Sequence, residues 1–248
     1  MRDASGYVLT GEKRFVPWAH VADLLLVAAR TGDGLSVFAI PRQTDGLEVR
    51  PNVEIDRTSR SATVTFSGVR SSADDVIGRL DQGWAVLGPT LQRAAVGASA
   101  EMLGAARRCM EMSVEYAKVR QQFGQPIGSF QAIKHMCAEM LLDIENSHAA
   151  TYYAAWAQDA ASPDAALAAS VAKAYVGDAS RKVCGNAIQV HGGIGFTWEY
   201  DLHLYFKRAK HLEPLYGDAD FHRERALHLT LERAKSDATP QREPALAS

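Results

Sequence analysis

Near residue 80 the sequence changes its period, and that change constrains the fold more than any single motif. Before it lie short runs of β-forming residues cut by turn signals. Tyr7-Val8-Leu9 leads to a turn at Gly11. Leu24 to Val27 is followed by the turn Thr31-Gly32-Asp33-Gly34, and Leu35 to Ile40 and Ala62 to Phe66 cluster further β formers. Pro41, Gly46, Pro51 and Gly68 punctuate these runs. From about Gln82 to Leu231 the chain is instead rich in Ala, Leu, Met, Glu and Arg at helical spacing. Strands and helices are segregated rather than alternating, so no doubly wound sheet is expected. The expected class is α+β, mostly α. It comprises a partial antiparallel β-domain over residues 1–80, an antiparallel four-helix bundle over 81–233, and a polar, disordered tail over 234–248.

Within the second part, a long helix is predicted from Trp84 to Val119, ended by Gly124, Pro126 and Gly128. A second starts with Ser129 as N-cap and runs to about Ala160. Ser162-Pro163-Asp164 opens a third, which reaches Val190 before Gly192-Gly193-Ile194-Gly195 breaks it. A fourth spans Leu202 to just before Pro214, and a last one about Asp220 to Arg233.

Composition removes several classes of function. A formal net charge of -2 with scattered basic residues gives no field for nucleic acid. No apolar run approaches the ~20 residues needed to span a bilayer, and the start MRDASGYVLTGEK lacks the apolar core of a signal peptide. A cytoplasmic location is expected. Cys109, Cys137 and Cys184 lie far apart and read as buried reduced thiols, and no Cys/His cluster has metal-ligand spacing.

Two stretches carry chemistry. In Arg120-Gln121-Gln122-Phe123-Gly124-Gln125-Pro126-Ile127-Gly128-Ser129-Phe130-Gln131, an Arg, an aromatic, a glycine turn and a helix start share one loop. A guanidinium fork suits pyrophosphate oxygens, and the following helix adds unpaired N–H groups. Phe123 could support an adenine ring. Taken alone, the stretch equally describes a turn between helices with a solvated Arg. In Gln189-Val190-His191-Gly192-Gly193-Ile194-Gly195-Phe196-Thr197-Trp198-Glu199-Tyr200, adjacent glycines let a ligand approach the backbone closely. These glycines follow a helix, not a strand, so a Rossmann fingerprint is excluded by context.

The order RxxFGxPIGxFQ, helix, QxHGGxGFTxEY resembles the C-terminal helical domain of the acyl-CoA dehydrogenase family. Gly6 to Lys13, Asp23 to Arg30, and Val64 to Arg70 followed by Ile77-Gly78 resemble its middle β-domain. The resemblance implies a FAD-dependent α,β-dehydrogenation of an acyl-CoA thioester to the 2-enoyl-CoA. A carboxylate would take the α-proton, and the β-hydride would pass to the flavin. It also implies homo- or hetero-oligomers with FAD held between subunits, and an electron-transfer flavoprotein as acceptor. On that pattern Arg120, Gln122, Phe123 and Gln131 match residues reaching a neighbour's FAD. Gln189, Gly192 and Gly193 match the loop at the adenosine-pyrophosphate end.

Three departures accompany the resemblance. The family's N-terminal helical domain and the start of its β-domain precede the point where Met1 stands. Pro17 falls where a Thr contacts flavin and offers neither hydroxyl nor N–H. Tyr216 falls where many members carry the catalytic Glu, and a phenol with a reference pKa near 10 is a poor base for an α-proton. Relatives that place the base on the first long helix would have it at Ala94. Glu101, two turns on and amid Ala98-Ser99-Ala100 and Met102-Leu103-Gly104, is the catalytic candidate, in small apolar surroundings that would raise a carboxylate's pKa; the same position also reads as a solvated or salt-bridged helix residue. Asp218 is a second candidate, with a role expected beside the flavin, and Arg93 could face the thioester end. The alternative reading is a non-catalytic subunit completing a partner's FAD site.

Overall fold

The computed structural model describes residues 2–3, 6–32 and 34–238. The chain divides into two compact units, Met1–Leu91 and Gln92–Ser248. The division falls inside the first long helix, beyond the change of sequence period near residue 80. Backbone anchoring explains this: Gly83 N donates to Leu35 O at 2.6 Å and Gln82 bridges to Leu35, so the start of the helix belongs with the strands.

The first unit is antiparallel β. One sheet has the order β1 (Arg2–Asp3), β2 (Gly6–Pro17), β6 (Ser61–Ser71), β5 (Leu47–Pro51). The other has the order β3 (Leu24–Thr31), β4 (Gly34–Pro41), β7 (Val76–Ile77). Leu9, Val64, Phe66 and Val69 of the first sheet share a core with Leu25, Val27, Phe38 and Ile40 of the second. Burial alternates along β3, with Leu25 and Val27 inward and Leu24 and Leu26 outward, as a half-buried strand requires. The predicted turn at Gly11 is not formed. β2 runs through Gly11, which sits opposite Phe66, and shifts of register after Leu9 and Lys13 absorb the irregularity. β5 went unpredicted because Gly46 and Pro51 frame a run of only five residues; Pro51 is tolerated at the end of an edge strand.

The second unit is built on α1 (Trp84–Val119) from Gln92 onward, α2 (Gln131–Asp159), α3 (Ala165–His191), α4 (Leu202–Leu212) and α5 (Ala219–Ala238). Ala154 and Ala157 near the end of α2 meet Ala168, Ala169 and Ala172 near the start of α3, so the two run antiparallel. Along α1, Val96 joins that cluster. Met102 and Ala106 pack with Val176 and Val183, and Ala117 packs with Val190, so α1 runs parallel to α3. Ion pairs of α5 to the α3 side, Arg223 with Asp178 and Arg233 with Asp164, give the reverse direction for α5. The runs of Ala in α2 and α3 permit this close approach.

Two predicted details are corrected. Ser129 is not the N-cap of α2; it closes a 3-10 turn, Ile127–Ser129, where its hydroxyl donates to Pro126 O at 2.7 Å. Phe130 occupies the cap position instead. α5 continues past the expected end at Arg233 to Ala238, and the remainder of the predicted tail lies outside the described residues.

Candidate functional site

α1 ends where Arg120 N donates to Tyr116 O, and Ile127 N then returns to Arg120 O, both at 2.8 Å. Between them β8 (Gln121–Gln122) and β9 (Gln125–Pro126) form a two-residue hairpin. Its tip, Phe123 and Gly124, has φ of 53° and 78°. Positive φ at both central residues fits the twist of a tight hairpin, but Phe there carries a steric cost that a glycine would not. The ring gains little burial in return: Phe123 is 92% exposed, with an edge contact to Phe130 at 6.1 Å. A strained, outward-held aromatic points to a binding role. Arg120, Gln122 and Gln131 are exposed around it.

The second stretch closes α3. Gln189 is exposed, and Gly192 takes φ 63° to end the helix, a conformation that favours glycine. A Cβ at Gly192 or Gly193 would meet nothing within 4 Å, so this backbone opens onto free space that a ligand could approach. His191 is buried. Its Nδ1 lies 2.8 Å from Ala187 O and must donate there, which leaves Nε2 to accept from Tyr200 Oη at 3.1 Å. Burial lowers the His191 pKa, against the opposing effect of the Ala187 bond.

The structure brings these two stretches together. The Tyr116 ring stacks on His191 at 4.3 Å, and Ala117, Ile127 and Val190 share a small core with Phe130 and Ile133. One end of the second unit therefore presents an Arg fork, three side-chain amides, an exposed aromatic and a bare glycine backbone. That donor set fits a pyrophosphate-bearing dinucleotide with a flat ring.

The other candidates are elsewhere. Asp218 is exposed, and its Oδ1 accepts from Phe221 N at 2.8 Å, the N-cap arrangement for α5. It follows a turn fixed to Lys173, which stands about 27 Å along α3 from His191 at 1.5 Å per residue. Tyr216 shares that turn at φ 63°. The apolar pocket expected around Glu101 is not formed. Ala98 and Met102 turn into the core, while Glu101 points outward and pairs with Arg208 of α4. Arg93 is exposed and Ala94 half-buried.

Lys173 and Arg208 were not anticipated. Lys173 had a signal: a lysine inside the apolar run Ala165 to Val176. Arg208 had none. In the first unit, a cavity of about 800 Å³ lies between β2 and β3, with Tyr7, Thr10, Lys13, Arg30 and Asp81 among its walls. Pro17 ends β2 opposite Ser61. Cys109 and Cys184 are buried and Cys137 half-buried, all free; contact with Cys184, together with burial, raises the Cys109 thiol. Among the described residues no three His, Cys, Asp or Glu side chains are grouped to hold a metal, and no helix is long and apolar enough to cross a membrane.

The family model of the acyl-CoA dehydrogenase C-terminal domain matches residues 81–234, and that of the middle domain matches residues 1–69. The chain is 34% identical over 203 residues to acyl-CoA dehydrogenase IpdE2 of Mycolicibacterium smegmatis, covering 82% of this chain and 57% of that protein. It is 31% identical to the short/branched chain specific acyl-CoA dehydrogenase of Rattus norvegicus, over 84% of this chain and 50% of that one. Butyryl-CoA dehydrogenase from Megasphaera elsdenii superposes with a TM-score of 0.88 at 27% identity, over 93% of this chain and 62% of the other. A structure of PigA with FAD and proline gives the same TM-score, 0.88, at 28% identity over 94% of this chain and 62% of that one. The chain thus spans roughly half to three-fifths of the length of these relatives.

Proposed function

This chain belongs to the acyl-CoA dehydrogenase family, and on that premise we propose that it is a subunit of a FAD-dependent acyl-CoA dehydrogenase, contributing its bundle end to a FAD site. The observation that carries this reading is the meeting of the Arg120–Gln131 hairpin with the Gln189–Gly193 turn through Tyr116 and His191. In this reading Arg120 binds pyrophosphate oxygens, and Phe123 lies against a ring of the cofactor. Gln122, Gln131 and Gln189 hydrogen-bond its polar edge, and Gly192 and Gly193 allow close approach of their backbone. Bound FAD would supply the acceptor for the β-hydride of an acyl-CoA thioester. These residues are exposed, and in the family pattern residues so placed reach a neighbour's FAD, which supports a cofactor held with a second acyl-CoA dehydrogenase subunit. The likeness to the PigA structure named for FAD supports the cofactor, and the likeness to caffeyl-CoA reductase-Etf complex subunit CarC of Acetobacterium woodii supports an electron-transfer flavoprotein as the acceptor.

A second reading is favoured by the state of the candidate bases. Tyr216 stands at the family's carboxylate position, and Glu101 is paired with Arg208. A chain with no free carboxylate at either place would complete a partner's FAD site without performing proton abstraction itself. Co-purification with a full-length relative from the same source tests both readings. Flavin retained only in the mixed oligomer, with turnover depending on the partner's carboxylate, supports the second. Turnover lost on Glu101→Gln supports the first. A tightly held yellow flavin in a strict monomer of this chain would contradict both.

A further inference from the structure

Lys173 lies in α3 where the run Ala165 to Val176 supplies small apolar residues, and it is fully buried. An ammonium at such a place needs compensating acceptors. It has two, both backbone carbonyls far along the chain: Nζ donates to Glu213 O at 2.6 Å and to Gly217 O at 2.8 Å. These carbonyls bracket the turn Pro214–Gly217 that joins α4 to α5. Within it Tyr216 has φ 63° and Gly217 φ 104°. A Cβ on Gly217 would stand 2.5 Å from the Phe221 ring and 3.0 Å from His222 Nε2, so the turn is closely packed as well as left-handed. His222, itself buried, donates from Nε2 to Tyr216 O at 3.0 Å. Two carbonyls of this short turn, Tyr216 and Gly217, and that of Glu213 just before it thus meet donors on α3 and α5, while Asp218 caps α5 directly after it.

We propose that Lys173 is a positioning residue that, together with His222, locks the Pro214–Gly217 turn and thereby fixes where Tyr216 and Asp218 stand. The lock is a property of the fold. Its importance for catalysis rests on the reading of Tyr216 and Asp218 as facing the flavin and substrate. A compact ammonium with three donors can join two carbonyls that no neutral apolar side chain could satisfy. Burial lowers the Lys173 pKa to about 8, against the opposing charges of Glu213 and Asp218. His222 faces it from α5 and is neutral above pH 7, because burial lowers its own pKa, with Arg225 and Lys173 adding to that effect. Opening the turn would return Lys173 to water and to its ordinary pKa of 10.5. The open state then binds more protons, so opening becomes less favourable as pH rises from 8.

Hydrogen exchange of the full chain, read by millisecond mixing and mass spectrometry, tests the lock. In Lys173→Met the amides of residues 215–222 should exchange about tenfold faster, the loss expected for one charge-assisted bond. The amides of α2 should be unchanged, and Lys173→Arg should recover part of the protection. Unchanged exchange in Lys173→Met, or an even acceleration across all helices, would overturn the proposal. If Lys173→Met does not fold, Lys173→Gln and His222→Leu decide by the same measurement: faster exchange confined to 215–222 upholds the lock, and unchanged exchange there, or an even acceleration across all helices, overturns it. FAD retention measured on the same samples separates the two layers. A turn that opens without loss of flavin upholds the lock and removes Asp218 from the flavin site.

Discussion

Tyr116 and His191 stack with ring centroids 4.3 Å apart and planes 23° from parallel, joining the end of α1 to the end of α3. His191 also tilts against Tyr200 at 4.9 Å. This aromatic layer ties the Arg120 hairpin to the glycine turn, so both present their polar groups from one rigid base. Tyr116→Ala should destabilise the protein by about 2 kcal/mol, less than a fully buried aromatic because the ring is half-buried. It should also weaken FAD retention with every direct ligand intact. A urea-unfolding midpoint and a flavin titration on the same variant check this; a change in stability without a change in flavin retention would uncouple the layer from the site.

Arg120→Ala should weaken FAD binding roughly 10- to 100-fold, the range for losing a charge-assisted bond. Arg120 is exposed and ends its helix through its backbone, so stability should be nearly unaltered. Arg120→Lys should recover only part of the loss, because a point charge does not reproduce the planar fork. Full recovery by Lys would count against pyrophosphate recognition.

Stability should fall as the pH drops below about 6.5. Burial lowers the pKa of His191 and of His222 in the fold, whereas the unfolded chain takes up protons near the ordinary value of 6.5. The unfolded state then binds more protons, and acid favours it. His222→Gln should reduce the difference in urea midpoint between pH 7.5 and 5.5. An unchanged difference would show that His222 does not contribute.

The isolated chain, reconstituted with FAD, should oxidise acyl-CoA slowly or not at all. On the proposed reading Tyr216 falls where many family members carry the carboxylate, and loss of a positioned base commonly costs 10²- to 10⁴-fold. In the same reading Pro17, at the end of β2, would lack the hydroxyl and N–H with which a Thr there would contact flavin. Anaerobic mixing with acyl-CoA of several chain lengths, followed by flavin bleaching, is the measurement. Rapid bleaching by the isolated chain sinks this expectation, and its loss on Glu101→Gln but not Asp218→Asn would then assign the base to Glu101.

The sequence by itself determined the class of fold, the helix boundaries of α1 and α4 to within a residue or two, and the family. These rest on local signals: periodicity, glycine and proline punctuation, and two motifs whose residues are near neighbours along the chain. It could not determine that the motifs meet, because Tyr116 and His191 are brought together by the packing of α1 on α3. Nor could it place Glu101. The small apolar residues around it suggested a pocket, but helical geometry sends Ala98 and Met102 into the core and leaves Glu101 beside Arg208, a residue 107 positions away. Lys173 shows the same division. The sequence marks it as out of place in an apolar run, and only the return of the chain at Glu213 and Gly217 supplies the carbonyls that make its burial tolerable. Local propensity is written in neighbours along the chain, whereas charge compensation is settled by groups that tertiary packing brings from far away.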